Sequence, residues 1–128
     1  MRLLLDTHTL IWWLTEDSSL PASARRLIAS RNHDVLVSAV SVWEIATKVR
    51  LGRLDAATDL ARDFSAYLAH ERFESLSISI DHGIRAGMLS GSHKDPFDRM
   101  LVAQAQLENL AIVSNDAKLD GYGVSRLW

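Results

Sequence analysis

Cysteine is absent from this chain of 128 residues. Its absence excludes disulfide bonds, thiolate metal sites and cysteine nucleophiles, and it suits a reducing compartment. A surplus of charge of one sign is also missing, because the formal net charge is only −2. The protein therefore has no overall field that attracts a nucleic acid, and any polyanionic ligand must be held by local groups.

Long hydrophobic runs are lacking as well. No uncharged apolar stretch approaches the roughly 20 residues that a membrane-spanning helix needs. At the N-terminus, Asp6 interrupts the apolar sequence after three leucines, too early for the core of a signal peptide. We therefore expect a cytoplasmic protein without membrane attachment. Its length and its 48% hydrophobic residues predict one domain, spanning residues 1–128.

Hydrophobic periodicity predicts short strands that alternate with helices. The predicted strands are 2–5, 35–38, 76–80, 110–114 and a short closing strand at 124–127. The predicted helices are 9–14, one that opens at Pro21, 41–51, 57–70, 81–89 and 95–108. This alternation predicts an α/β fold of three layers, in which helices cover both faces of a central, mostly parallel sheet of four to five strands.

Four acidic residues fall where the predicted strands end or the following helices begin. They are Asp6, Glu44, Asp98 and Asp116. Ligands of parallel sheets collect at the carboxyl ends of the strands, so all four are expected at one edge. Carboxylates gathered there repel one another unless a cation lies among them. An all-oxygen cluster, with no cysteine and no histidine clearly in register, suits Mg²⁺ or Mn²⁺, which activate water for attack on phosphate esters.

Each acid also has a simpler explanation as a helix cap. Glu44 follows a serine by three residues, which is the spacing of a capping box, and Asp95 with Asp98 nearly repeats that spacing. Asp6 and Asp116 are acceptable N-caps too. Asp98 favours the metal interpretation most, because it shares a helix face with apolar residues and so points toward the buried side.

Four stretches that together cover nearly the whole chain carry a family resemblance. They are LLLDTHTLIWWL, VSAVSVWEIATKVRLGRL, HKDPFDRMLVAQAQLENLAIVSND and DGYGV. These stretches resemble the PIN-domain ribonucleases, specifically the VapC-type toxins of bacterial toxin–antitoxin pairs. The most specific part is DPFDRMLVAQA followed by VSND.

The resemblance implies a PIN-like fold and an endoribonuclease that depends on Mg²⁺ or Mn²⁺. It places the catalytic and metal-binding acids at the same four positions, gives Ser114 a supporting role in ordering the last acid, and makes Asp95 a helix cap. A metal-activated water then leaves a 5′-phosphate and a 3′-hydroxyl. Single-stranded or looped RNA is the expected substrate, because its unstacked backbone can reach a shallow cleft.

The resemblance also implies partners: a cognate VapB-type antitoxin that blocks the acidic site, and a second copy of the chain in a homodimer. His8, His93, Lys94 and Arg99 border the expected site and are candidates for contact with RNA phosphates. Their simpler explanation is a packed or capping histidine for His8 and solvated charge near a helix N-terminus for the others.

An alternative function remains open from the sequence. A catalytically silent PIN-fold module that binds RNA or protein would show the same strands and helices, although the presence of all four acids argues against it. An aspartyl phosphatase is disfavoured, because its second acid, two residues after the nucleophile, is replaced here by His8. The sequence does not indicate which RNA is cut, or whether one or two ions bind.

Overall fold

A five-stranded parallel sheet forms the centre of the computed structural model, which describes residues 1–91 and 93–128. The strands are β1 (Arg2–Leu5), β2 (Asp34–Ser38), β3 (Glu74–Leu76), β4 (Ala111–Val113) and β5 (Arg126–Leu127). The helices are α1 (Thr7–Leu14), α2 (Ala22–Ala29), α3 (Ala39–Arg50), α4 (Thr58–Arg62), α5 (Phe64–Glu71), α6 (Ile80–Met88) and α7 (Pro96–Glu108), with 3₁₀ turns at Asp55–Ala57 and Ala117–Tyr122. The strand order β3-β2-β1-β4-β5 confirms the predicted α/β sheet and places β1 in the middle.

The sheet is buried on both faces, as its apolar sequence requires. Leu3 and Leu5 of β1 pack in a core cluster with residues of α1, α2 and α5. Leu4 points to the opposite face, where it packs with Leu101 of α7. Because β1 lies between two covered faces, its carboxyl end is held in the centre of the fold, and the functional groups gather there.

The third strand is shorter and earlier than the sequence predicts. Strand β3 ends at Leu76, and α6 begins at Ile80. A capping box starts this helix: the Ser79 hydroxyl accepts from the His82 amide at 3.1 Å, and His82 Nδ1 accepts from the Ser79 amide at 3.0 Å. Ile78 and Ile80 are exposed. The predicted strand 76–80 is therefore confirmed only at Leu76, and its extension to Ile80 is wrong.

The predicted helix 57–70 is two helices, α4 and α5. Asp63 lies between them in a non-helical conformation, with φ −148° and ψ 70°. Its carboxylate accepts a hydrogen bond from the Ala66 amide at 3.1 Å, so it caps α5 and interrupts the longer helix. Among the described residues, no helix combines the length and the apolar character that crossing a membrane would require.

Candidate active site

Asp6 joins the central strand to the site. It follows β1, is only 4% exposed, and its Oδ1 accepts a hydrogen bond from the Thr9 amide at 2.7 Å. Asp6 is thus the N-cap of α1, and that helix begins two residues earlier than predicted. The Thr9 hydroxyl donates to the Val113 carbonyl at 2.8 Å and ties the helix start to β4. Capping and a buried charge at a strand end are therefore combined in one residue.

Asp98 is the acid whose protonation is most affected by its surroundings. Asp95 accepts from the amides of Phe97 at 2.9 Å and Asp98 at 3.4 Å, and thereby caps α7. Burial, together with the charges of Asp95, Asp6 and Asp116, raises the pKa of Asp98 to about 6 against the opposing effect of His93. The negative charge of the carboxylates around Asp98 is thus not fully compensated by His93.

Asp116 is oriented by the end of β4. The Ser114 side chain is fully buried, and its hydroxyl accepts from the Asp116 amide at 3.0 Å. Asp116 Oδ1 then accepts from the Lys118 amide at 3.0 Å and caps the following 3₁₀ turn. Two hydrogen bonds therefore hold this acid at the carboxyl end of β4, beside Asp98.

His93 lies between these two acids. Its Nε2 is 3.0 Å from Asp98 Oδ2 and 3.8 Å from Asp116 Oδ2. Sequence reasoning placed His93 at the border of the site but missed this position among the acids, since it found no histidine clearly in register with them. The available signal was the HKDPFDR stretch, in which His93 stands two residues before the cap of the helix that carries Asp98.

Three side chains offer ligand atoms for a divalent cation. One ligand atom each from His93, Asp98 and Asp116 lies within 4.8 Å of the others. The uncompensated negative charge around Asp98 also favours a bound divalent cation, because a cation would relieve the repulsion between the carboxylates. Oxygen ligands with one imidazole fit Mn²⁺ or Mg²⁺ and leave positions open for water and substrate. The donor set therefore fits the metal that the sequence predicted.

Glu44 lies apart from these three residues. Helix α3 starts at Ala39 and is capped by the Ser38 hydroxyl, so the predicted capping box between Ser41 and Glu44 is wrong. Glu44 instead occupies the second turn of α3, where its Oε2 is 3.3 Å from Lys48 Nζ. The structure thus gives Glu44 a lysine partner, while Asp6 contributes its charge to the surroundings of Asp98.

The loop before α7 is held by Arg99. Its guanidinium donates to the carbonyl of Leu89 and, at 3.1 Å, to the carbonyl of His93. Lys94 is exposed and, together with His93 and Lys118, lines a cleft of about 680 Å³. Arg99 therefore orders the loop, and the two lysines supply positive charge to the cleft that His93 also lines.

His8 is not among the residues that line this cleft. It is exposed, and its ring lies 5.9 Å from that of Trp12, centroid to centroid. Trp12 in turn packs near Trp128, also at 5.9 Å. His8 thus stands at the start of α1, two residues after Asp6, on a surface that RNA could approach.

Comparison with known proteins identifies the family. The family model described as PIN domain matches residues 3–124. Ribonuclease VapC22 of Mycobacterium tuberculosis is 26% identical over 116 residues, which are 91% of this chain and 88% of that protein.

Solved structures share the fold. A chain of VapBC2 from Rickettsia felis, solved with a DNA fragment from their promoter, aligns with a TM-score of 0.73 and 19% identity, over 99% of this chain and 98% of that one. VapC20 from Mycobacterium tuberculosis, described as a sarcin-ricin loop cleaving toxin, aligns with a TM-score of 0.69 and 16% identity, over 95% of each chain. The match of the family model to nearly the whole sequence, on a fold that these structures share, means that the chain belongs to the PIN domain family.

Proposed function

We propose that this protein is an endoribonuclease toxin of a bacterial toxin–antitoxin pair, dependent on Mg²⁺ or Mn²⁺ and inhibited by a cognate VapB-type antitoxin. The observation that carries the proposal is the convergence of Asp98, Asp116 and His93 beside Asp6, at the carboxyl edge of a PIN-domain sheet. The chain's similarity to a protein named ribonuclease VapC22 supports the activity. The fold that it shares with a chain of VapBC2 supports the antitoxin partner.

In the proposed mechanism, the residues at the carboxyl edge of the sheet have different roles. When bound, a divalent cation neutralises charge on the scissile phosphate and lowers the pKa of a water molecule. Asp98 and Asp116 would hold that cation, and Ser114 keeps the backbone of Asp116 in place. Asp6 supplies a further negative charge to the surroundings of Asp98. Glu44 is paired with Lys48, and its role as a metal ligand stays a prediction.

The substrate is held by positive charge next to the acids. Lys94 and Lys118 line the same cleft as His93, so their ammonium groups are available to RNA phosphates that enter the cleft. Phosphate contacts of this kind position a strand without reading its sequence. Single-stranded or looped RNA suits such a site, because its backbone can bend into the cleft.

The test is cleavage of total RNA by the purified, antitoxin-free protein in Mg²⁺ or Mn²⁺. We expect cuts that carry 5′-phosphate and 3′-hydroxyl ends and that disappear with EDTA. Asp59→Asn is the matched control, because Asp59 is a fully exposed acid on α4. Cleavage that persists in EDTA, or ends with a cyclic phosphate, would contradict the proposed mechanism. RNA binding without any cleavage would favour the silent binding module instead.

The proposed homodimer has a candidate surface on α6. Ile80, Ile84 and Met88 form one stripe, at 82%, 59% and 79% exposure. An antiparallel pairing of two such helices about Ile84 places Ile80 against Met88 of the second copy. A stripe that can pair with itself in this way favours a second copy of the chain as the occupant.

Ile84→Asp is expected to convert a dimer to a monomer in size-exclusion chromatography with light scattering, because the change buries a carboxylate in the centre of the stripe. Leu51→Asp is the control, since Leu51 is also exposed but lies at the end of α3. A dimer that survives Ile84→Asp would rule out this surface.

A further inference from the structure

We propose that His93 is itself a metal ligand, so that this protein has a mixed nitrogen and oxygen site. The inference rests on the metal binding proposed above and adds to it a ligand and a metal preference. It depends on three observations: the spacing of His93 from two acids, the state of its Nε2 atom, and the way the loop that carries it is held.

The spacing matches that of two ligands on one ion. Adjacent ligands of an octahedral ion at about 2.1 Å lie ~3.0 Å apart. His93 Nε2 and Asp98 Oδ2 are separated by 3.0 Å, and Asp116 Oδ2 lies 3.8 Å from the same nitrogen. The three atoms can therefore surround one ion with little movement.

The Nε2 atom of His93 is buried but has no hydrogen-bond partner in residues 1–91 and 93–128. Asp98 Oδ2 is near enough for a hydrogen bond, but the two atoms are not aligned for one. Ligands of a shared ion show this geometry, because each points at the ion and not at its neighbour. A buried nitrogen without a hydrogen-bond partner needs an explanation, and an ion provides one.

Hydrogen bonds from Arg99 hold the backbone of the loop that carries His93. Arg99 donates to the carbonyls of Leu89 and His93. Between them, Gly91 has φ +102°, and a Cβ there would lie 3.2 Å from the Tyr122 hydroxyl. The backbone therefore packs closely at Gly91, and little ordering is needed when an ion arrives.

A nitrogen ligand changes which ion the site prefers. Carboxylates suit Mg²⁺ and Mn²⁺ alike, whereas imidazole favours first-row transition metals over Mg²⁺. We therefore expect Mn²⁺ to bind more tightly than Mg²⁺ to the wild type. His93→Asn should weaken Mn²⁺ binding by on the order of tenfold or more, as is typical when a side chain that supports a metal site is removed. Mg²⁺ binding should change much less.

The decisive measurement is pulsed electron paramagnetic resonance of bound Mn²⁺ in protein that carries ¹⁵N only in histidine. We expect a ¹⁵N coupling in the wild type that is lost in His93→Asn and retained in His8→Asn. His8 is the matched control, because it is the exposed histidine near Asp6 and the rival nitrogen donor. Binding isotherms for Mn²⁺ and Mg²⁺ on the same three proteins give the affinities.

The outcomes separate this inference from the proposed function. If Mn²⁺ binds and RNA is cut but no ¹⁵N coupling appears, His93 is not a ligand and the ribonuclease proposal stands. A coupling that survives in His93→Asn, or that disappears in His8→Asn, also overturns the inference. Absence of any Mn²⁺ binding would overturn both.

Discussion

Asp98→Asn is expected to reduce RNA cleavage by about 10²- to 10³-fold, the loss typical when one preorganised electrostatic group is removed from an active site. Asp98 shares the candidate metal site with His93 and Asp116, and the charges of Asp95, Asp6 and Asp116 all raise its pKa. Asparagine keeps its size and one oxygen but removes the charge that would hold the cation. Cleavage is measured on the RNA that the wild type cuts, at saturating Mn²⁺.

The same variant is expected to be more stable than the wild type when no metal is present. The folded-state pKa of Asp98 is raised from 3.8 to about 6, so the folded protein binds its proton more tightly than the unfolded chain does. The carboxyl group therefore contributes most to stability below pH 4, and this contribution is lost as the pH rises from 3.8 to about 6. The asparagine that replaces it has no charge to gain over this range.

At pH 7.5 we expect Asp98→Asn to gain about 1 kcal/mol once solvent screening of this partly exposed group is allowed for, or ~3 °C in Tm. The gain should disappear near pH 4. Thermal melts in EDTA at both pH values check it, with Asp59→Asn as the control. Full cleavage by Asp98→Asn would exclude Asp98 from the mechanism. A lower Tm of this variant at pH 7.5 would show that the neighbouring carboxylates do not destabilise the charged form of Asp98.

Mn²⁺ is expected to raise the Tm of the wild type, and the size of the rise should depend on pH. An ion at 100 times its Kd stabilises the folded state by about 2.7 kcal/mol, since the unfolded chain has no formed site. For a domain of this length that corresponds to ~8 °C at pH 7.5. The cation and the proton compete for Asp98, whose pKa is about 6.

The stabilisation by Mn²⁺ should therefore decrease below pH 6. A single competing proton lowers the apparent affinity by up to about tenfold per pH unit, or ~1.4 kcal/mol, so about half of the stabilisation is lost at pH 5. Melts with and without Mn²⁺ at pH 7.5, 6 and 5 measure this. In Asp98→Asn the ion should shift the Tm little at any pH, whereas Asp59→Asn should behave as the wild type. Equal shifts at pH 5 and 7.5 would exclude Asp98 as a ligand.

Local sequence pattern was enough to predict the sheet and the placement of three acids. Leu3, Leu4 and Leu5 form a short apolar run that suits a strand covered on both faces, which puts the next residue at the carboxyl end of the sheet. The same reasoning located Asp98 and Asp116, because a helix start and a strand end are decided by neighbouring residues.

Hydrogen bonds that no local pattern predicts decided the position of His93. Arg99 bonds to the carbonyls of Leu89 and His93, and this contact brings His93 between Asp98 and Asp116. Hydrophobic periodicity does not predict the position of this loop, because that position depends on hydrogen bonds between residues up to ten apart in the sequence.

Glu44 illustrates the limit of local rules. Its spacing from Ser41 predicted a capping box, but Ser41 is buried in the packed structure and accepts a hydrogen bond from the Thr7 hydroxyl at 3.0 Å. The helix therefore starts at Ala39, and Glu44 faces Lys48. The sequence by itself determined the sheet and the edge at which the acids collect, because short apolar strands that alternate with helices form a covered parallel sheet whose carboxyl ends share one edge. Only the tertiary structure decided which side chains meet there, because those meetings depend on packing between segments far apart in the chain.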